Sequence, residues 1–334
     1  MANILLAEDK VHALRHALIV HGVRGCNADE TRSIRELVWP QLLDIEADSA
    51  LIEFHHYVKT SEPSQKILEA IDRDTRPTMK HIPELQARCS KEEFMQLLCA
   101  YDGWCKDKMA RSNQYAHVQA VSGGYIQSMT RVSAALCVVL PRHLAWACLC
   151  KLLSDVMPGW FARSNSLGAS LGCTLLDEVL QTVDPSLQKH IVSQLTTGYS
   201  LMSATPRVYT LFGQTTPITA VLPLYDALLC IGPHIVVPII AAEIVLSREK
   251  LLASKSLSKA LDNGKLADDA SVLISTALHI FRGLPDDLQK RLQAWPLKTS
   301  SVKNGSNAPA GAAASAATAS TGSSTAAAGV ESAS

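Results

Sequence analysis

The sequence predicts an all-α protein, and three observations predict it. Apolar residues recur at helical spacing along nearly the whole chain, while the alternation that a half-buried strand needs is almost absent. Several segments open on a capping pair, Asn or Ser with Glu three residues later. Others close on glycine, in one case with proline close behind, the usual stop for a helix. A dozen or more helices are expected, with no repeat of fixed period and therefore no solenoid.

Taken in order, "VHALRHALIVHG" predicts a helix closed by Gly22. "NADETRSIRELVWPQLLDI" opens with Asn27 and Glu30 in capping-box spacing and carries Ile34, Leu37 and Val38 on one side. "SKEEFMQLLCAYDGWC" repeats the device: Ser90 caps, Glu93 reaches back, and Phe94, Leu97, Leu98 and Tyr101 form the inward stripe. Asp184-Pro185 reads as an N-cap followed by proline at the first helical position. "DDASVLISTALHIFRGLP" ends on Gly283 and Pro285. The helical domain is expected over residues 1–298. From Thr299 to Ser334 the chain turns to Ala, Ser, Gly and Thr, which cannot bury a core, so this tail is expected to be disordered.

Composition excludes several function classes. The 334 residues are 47% hydrophobic and 19% charged, with 31 Lys and Arg balanced by 31 Asp and Glu. Zero net charge and the lack of a basic run give no support to a nucleic-acid or anionic-membrane surface. The nine cysteines show no C-x-x-C pair, so reduced thiols acting as small hydrophobes are favoured over metal ligands or disulfides. The first residues carry early charges and no long apolar core, unlike a signal peptide, which points to a cytoplasmic setting. "ALLCIGPHIVVPIIAAEIVL" (227–246) has about the length of a bilayer span, but its Gly232, Pro233, Pro238 and Glu243 favour a break and a buried core helix. No transmembrane segment is expected.

Enzyme signatures are missing: there is no P-loop, no dinucleotide fingerprint, no H-E-x-x-H and no G-x-S-x-G. Gly168-Ala-Ser-Leu-Gly172 is a loose echo of a nucleophile elbow lying between helices, where packing is the better use. His55-His56 and the other histidines show no metal-ligand spacing. Composition and periodicity alone support only a soluble helical domain.

Three segments say more together. They are Arg35-x-x-x-Trp39; "ILEAIDRDTRPTM", with Ile71, Asp74 and Thr78; and "GGYIQSM", with Tyr125, Gln127 and Met129, leading into an apolar helix. In this order and at these separations they resemble the TBC domain, an all-helical GTPase-activating domain best known for acting on Rab GTPases. A fourth segment agrees, since Tyr225-Asp226 stands where that family's late helix usually has Trp-Asp. The resemblance covers about residues 12–295, and "QKILEAIDRDT" and "LLDEVLQTVDPSLQKHI" look most similar to the family's fungal mitotic-checkpoint branch.

The resemblance implies a small GTPase of the Rab or Ras type as partner, which brings its own GTP and Mg²⁺, so that this chain needs no cofactor. It implies a companion subunit, a role in mitotic exit or septation or in spindle checkpoint control, and a place at spindle poles or cytoskeleton. It also gives Gln127 the role of orienting the attacking water. An amide suits that task because it donates and accepts hydrogen bonds without titrating near neutral pH. Tyr125 is expected to pack beneath the loop, and the paired glycines to let it approach the partner closely.

The arginine is where the chain departs from the family. The pattern I-x-x-D-x-x-R-T places the arginine at 77, where this chain has Pro77; Arg76 stands one residue early, Arg73 lies within the motif, and Thr78 is in register. A one-residue displacement moves the Cα by about 3.8 Å, and proline disfavours helical backbone in the residue before it, so Arg76 is expected to be extended. Arg76 is taken as the residue that stabilises the phosphoryl group. Ser128 in place of glycine is expected to crowd the loop, and Thr130 replaces an Asn or Asp. Arg35 and Trp39 read as structural, with Asp74 the carboxylate that Arg35 braces. Three readings remain open: a working GTPase activator, a scaffold that binds a GTPase without strong activation, and an unrelated helical interaction protein.

Overall fold

The computed structural model describes residues 2–23, 27–111, 124–158, 160, 167–194, 206–254 and 265–297. The Ala/Ser tail and Gly123 lie outside the described residues. Among those described there is no strand, and helix follows helix. The first, α1 (Ala2–His21), stops at Gly22, whose φ of +65° suits glycine. Asn27 caps α2 (Ala28–Leu42), its side-chain oxygen accepting from the Glu30 amide at 2.9 Å. Next come α3 (Ala47–Thr60), α4 (Gln65–His81) and a short α5 (Pro83–Gln86).

At α6 (Lys91–Arg111) the capping box closes in both directions. Ser90 Oγ accepts from the Glu93 amide at 3.1 Å, and the Glu93 carboxylate accepts from the Ser90 amide at 2.9 Å. Phe94, Leu97, Leu98 and Tyr101 are fully buried, as their spacing predicts. α7 (Met129–Val139) is buried along its length, and α8 (Arg142–Lys151) runs on into a π turn, Leu152–Val156. α9 (Leu167–Val183) is followed by α10 (Pro185–Gln194), where Asp184 accepts from the Leu187 amide at 2.9 Å and Pro185 takes the first helical position. The remainder are α11 (Pro206–Thr210), α12 (Leu222–Ile231), α13 (Val236–Leu246), α14 (Arg248–Ala253), α15 (Ala270–Gly283) and α16 (Asp286–Ala294).

Packing gathers these helices around one core. In the first half α6 lies against α3, α4 and α8, and α7 against α4 and α8. In the second half α13 lies against α9 and α15, while α12 packs on α1 and α15. Trp39, Trp146, Trp160 and Trp295 are all fully buried. The apolar stretch 227–246 is broken at Gly232, with φ of +120°, and α13 beyond it is buried. No helix of the described residues is long and apolar enough to cross a membrane.

Three sequence expectations need correction. On α2 it is Arg35 and Trp39 that face inward, while Leu37 is 67% exposed. Hydropathy misled here because Arg35 meets a buried acid on another helix. Second, Pro77 does not end α4, and Arg76 is helical, not extended. A proline inside a helix costs about 3 kcal/mol, whereas burying Ile71 and Met79 returns roughly 1.5–3 kcal/mol each. Pro77 and Arg73 both lie on the exposed face, so the Arg73 carbonyl that loses its partner is open to water. Third, Gly168 and Gly172 lie in the first turns of α9, not between helices. Packing is their use: Trp295 Nε1 donates to the Gly168 carbonyl at 2.6 Å, and a Cβ on Gly172 would sit 2.4 Å from the Trp295 ring.

Gly172→Ala is therefore expected to lower stability by about 1–3 kcal/mol through overpacking. Gly283→Ala, where an added Cβ meets nothing within 4 Å, should leave the urea midpoint unchanged or raised. Equal midpoints for the two variants would contradict this account of the Trp295 contact.

Candidate functional site

The inner face of α4 carries Ile71, Asp74, Thr75, Thr78 and Met79, all buried. Thr78 returns its hydroxyl to the Asp74 carbonyl at 2.8 Å, as a threonine one turn on can do within a helix. The Asp74 side chain, 6% exposed, is the one charge on that face and needs partners. One oxygen accepts from the Tyr125 hydroxyl at 2.8 Å; the other lies 3.4 Å from Arg73 Nε. Burial, and then the Asp74 carboxylate, push the Tyr125 phenol far above its ordinary range, so it remains a donor at any pH a protein survives.

Tyr125 opens the turn that leads into α7. Its amide donates to Asp102 Oδ1 at 3.1 Å, and Lys106, one turn further along α6, pairs with the other oxygen at 2.6 Å. Gly124 makes this approach possible: its φ is +111°, and a Cβ there would fall 1.9 Å from Asp102 Oδ1. The glycine thus serves an internal contact within the domain. The turn itself is tight. The Ile126 amide points at Met129 Sδ at 3.4 Å, and Thr130 Oγ1 donates to the Gln127 carbonyl at 2.9 Å. The Gln127 side chain is exposed, between a buried Tyr125 and a buried Met129.

The family departures at 128 and 130 do no harm to this turn. Ser128 has φ of −64° and ψ of −18°, a right-handed helical conformation open to any residue, so the expected crowding is absent. Thr130 supplies the bond that holds the Gln127 backbone.

The two arginines of the second motif lie about 60° apart round α4 but meet different acids. Successive residues turn by about 100° on a helix, so Arg76 leaves α4 roughly 160° round from Asp74. There it pairs with Asp72, which Lys91 also holds and whose carboxyl is lowered first by Lys91 and also by Arg76. Lys91 opens α6, while Asp102, holding Tyr125, lies eleven residues further on, about 16 Å along that helix. The Asp72 pair and the Asp74–Tyr125 bond therefore mark opposite flanks of α4, with Gln127 attached to the second.

A separate clamp joins α2 to α12. Arg35 donates to Asp226 through Nε at 3.0 Å and Nη2 at 2.7 Å, and Trp39 Nε1 donates to the same carboxylate at 2.7 Å. Burial pushes the Asp226 carboxyl up, and the Arg35 and Trp39 donors oppose the rise. All three nitrogens donate, which is the pattern that an ionised carboxylate satisfies. The partner expected for Arg35 was Asp74, and the structure corrects it to Asp226, while Asp74 is held by Tyr125 and Arg73. Trp39 also stacks on Tyr225, with centroids 5.9 Å apart.

The family model of the Rab-GTPase-TBC domain matches residues 32–252. The chain belongs to that family. Among curated relatives of this TBC protein, the putative mitotic check point protein BUB2 of Dictyostelium discoideum is 26% identical over 307 residues, 88% of this chain and 77% of that one. The mitotic check point protein BUB2 of Saccharomyces cerevisiae is 24% identical over 253 residues, 75% of this chain and 81% of that one. Among solved structures, the Chlamydomonas flagellar RabGAP TBC domain aligns with a TM-score of 0.58 at 21% identity, covering 82% of this chain and 92% of that one. That likeness supports the fold.

Of the motif residues, Ile71, Asp74, Thr78, Tyr125, Gln127 and Met129 come together in this TBC domain, while Arg35, Trp39 and Asp226 form the other cluster. Sequence reasoning missed Asp102. An aspartate beside Tyr101, inside the apolar stripe of α6, was the available signal: a carboxylate there must be paired.

Tyr125→Phe deletes the bond to Asp74 and leaves that buried carboxylate with Arg73 alone. Stability should fall by about 1–3 kcal/mol, read from denaturant unfolding, and hydrogen exchange should speed up at the amides of residues 125–128. Unchanged exchange would show that the bond does not hold the turn.

Proposed function

We propose that this TBC protein accelerates GTP hydrolysis on a small GTPase of the Rab or Ras type. The observation that carries the reading is Gln127: an exposed amide on a turn whose neighbours are tied down at Tyr125, Met129 and Thr130. A side chain that must orient a water in another protein's pocket has to be accessible and already positioned, because ordering it on binding would cost conformational entropy. GTP and Mg²⁺ come with the GTPase, which performs the hydrolysis. The activator supplies hydrogen bonds to the water and charge to the phosphoryl group. The likeness to mitotic check point proteins supports a role in mitotic control, and the reading extends, as part of the same proposal, to mitotic exit or septation, a companion subunit, and work in the cytoplasm at spindle poles.

A second reading has its own support. Pro77 occupies the position where the family carries its arginine, and Arg76 is engaged by Asp72. A domain with this fold and no phosphate-directed charge would bind a GTP-loaded GTPase and hold it without turning it over.

Single-turnover hydrolysis of GTP by a panel of purified Rab-type GTPases separates the two. Activation predicts a rise in rate on adding the wild-type protein, lost by roughly 10²-fold or more in Gln127→Ala, the scale on which loss of one preorganised hydrogen-bonding group acts. Binding without any change in rate would establish the scaffold reading.

A further inference from the structure

We infer that Arg73, and not Arg76, is the arginine this protein presents to the GTPase, so that the catalytic pair is Arg73 with Gln127. The inference rests on the activator reading above and names the charge that reading requires.

Three features of α4 lead to it. First, the helix does not break at Pro77, so the phase of every side chain on it is set. Relative to Asp74, position 77 lies about 60° round, Arg73 about 100° and Arg76 about 160°, all in the same sense. Arg73, one turn before position 77, is thus about 40° from the family position, whereas Arg76 is about 100° from it. Second, Arg73 leans toward Asp74. Its Nε is 3.4 Å from one oxygen of Asp74 while the Tyr125 hydroxyl holds the other at 2.8 Å. One carboxylate therefore orients both the arginine and the turn that carries Gln127. Third, Arg73 remains available. Its side chain is 71% exposed, and among the described residues its two terminal nitrogens have no partner.

Arg76 is placed less well. It lies further round the helix from Asp74 and from position 77, its Nη2 is committed to Asp72, and that carboxylate is fastened to Lys91 at the start of α6. Turning Arg76 toward Asp74 would break the pair. Arg73 needs no such change. Contact through Nε leaves the terminal nitrogens as a planar fork, the geometry that meets two phosphate oxygens at once. No bond is made or broken by this chain in such a step: the guanidinium neutralises charge building on the transferring group while Gln127 holds the water.

The experiment uses the full chain and the panel of GTP-loaded Rab-type GTPases in single turnover. Arg73→Ala should lower the accelerated rate by ~10³-fold or more, the low end of what an arginine supplied in trans is worth. Arg76→Ala should match wild type. Arg73→Lys keeps a cation beside Asp74 but loses the fork, and should recover only a small part of the rate. Full recovery in Arg73→Lys would assign Arg73 a structural role and overturn the proposal. Pro77→Arg places an arginine one turn from Arg73 and should restore the rate to Arg73→Ala; failure to restore it counts against Arg73 standing in for the family position. Matching thermal midpoints show that the variants fold. If Gln127→Ala abolishes acceleration while Arg73→Ala does not, the activator reading stands and Arg73 falls. If wild type accelerates none of the GTPases, both fall.

Discussion

A buried carboxylate that must find donors governs the face this domain offers. Asp74 lies on the packed side of α4, where an unpaired charge would be costly, and its needs are met by the Tyr125 hydroxyl and by Arg73. Since Tyr125 comes from a different part of the chain, satisfying Asp74 fastens the turn before α7 onto α4. Asp102 does the same from α6 by accepting the Tyr125 amide. The turn is thereby suspended between two acids, and Gln127 protrudes from it. Exposure without looseness is the property an amide needs to order a water in another molecule, and here it follows from burying two carboxylates under a tyrosine.

The remaining buried charges act at longer range. Arg35 and Trp39 on α2 reach Asp226 on α12, almost two hundred positions away, and Arg207 meets Glu243 at 2.9 Å on α13. Such pairs add little net stability against well-packed apolar residues, because desolvating the two ions offsets most of their attraction. They do specify which helices pair, since a misplaced partner would leave a charge buried alone. In a chain built of many apolar helices with similar faces, that selectivity separates one arrangement from its competitors.

The family likeness and the departures from it bear on separate questions. Fold alone does not establish activity. What the tertiary arrangement adds is a distinction between departures. Ser128 and Thr130 leave the turn intact, the first in an ordinary helical conformation and the second by bonding the Gln127 carbonyl. Pro77 removes the charge from the family position, and the helix that continues through it leaves Arg76 about 100° round from that position and paired with Asp72.

Helix positions and ends were legible in the sequence, because caps and apolar spacing act within a few residues: Ser90 with Glu93, Asp184 with Pro185, Gly22 and Gly232 each do locally what their neighbours imply. The motif residues could be found there too, including Gln127. Partnerships could not. Nothing near Arg35 shows that it meets Asp226 and not Asp74, and nothing near Gly124 shows that it makes room for Asp102. Local preference even misled at Pro77, where burial of Ile71 and Met79 outweighs the tendency of a proline to end a helix. Which acid each arginine of α4 meets depends on the phase of an unbroken helix and on what packs against it. That is a property of contacts distant in the chain, so it became visible only when the chain was folded.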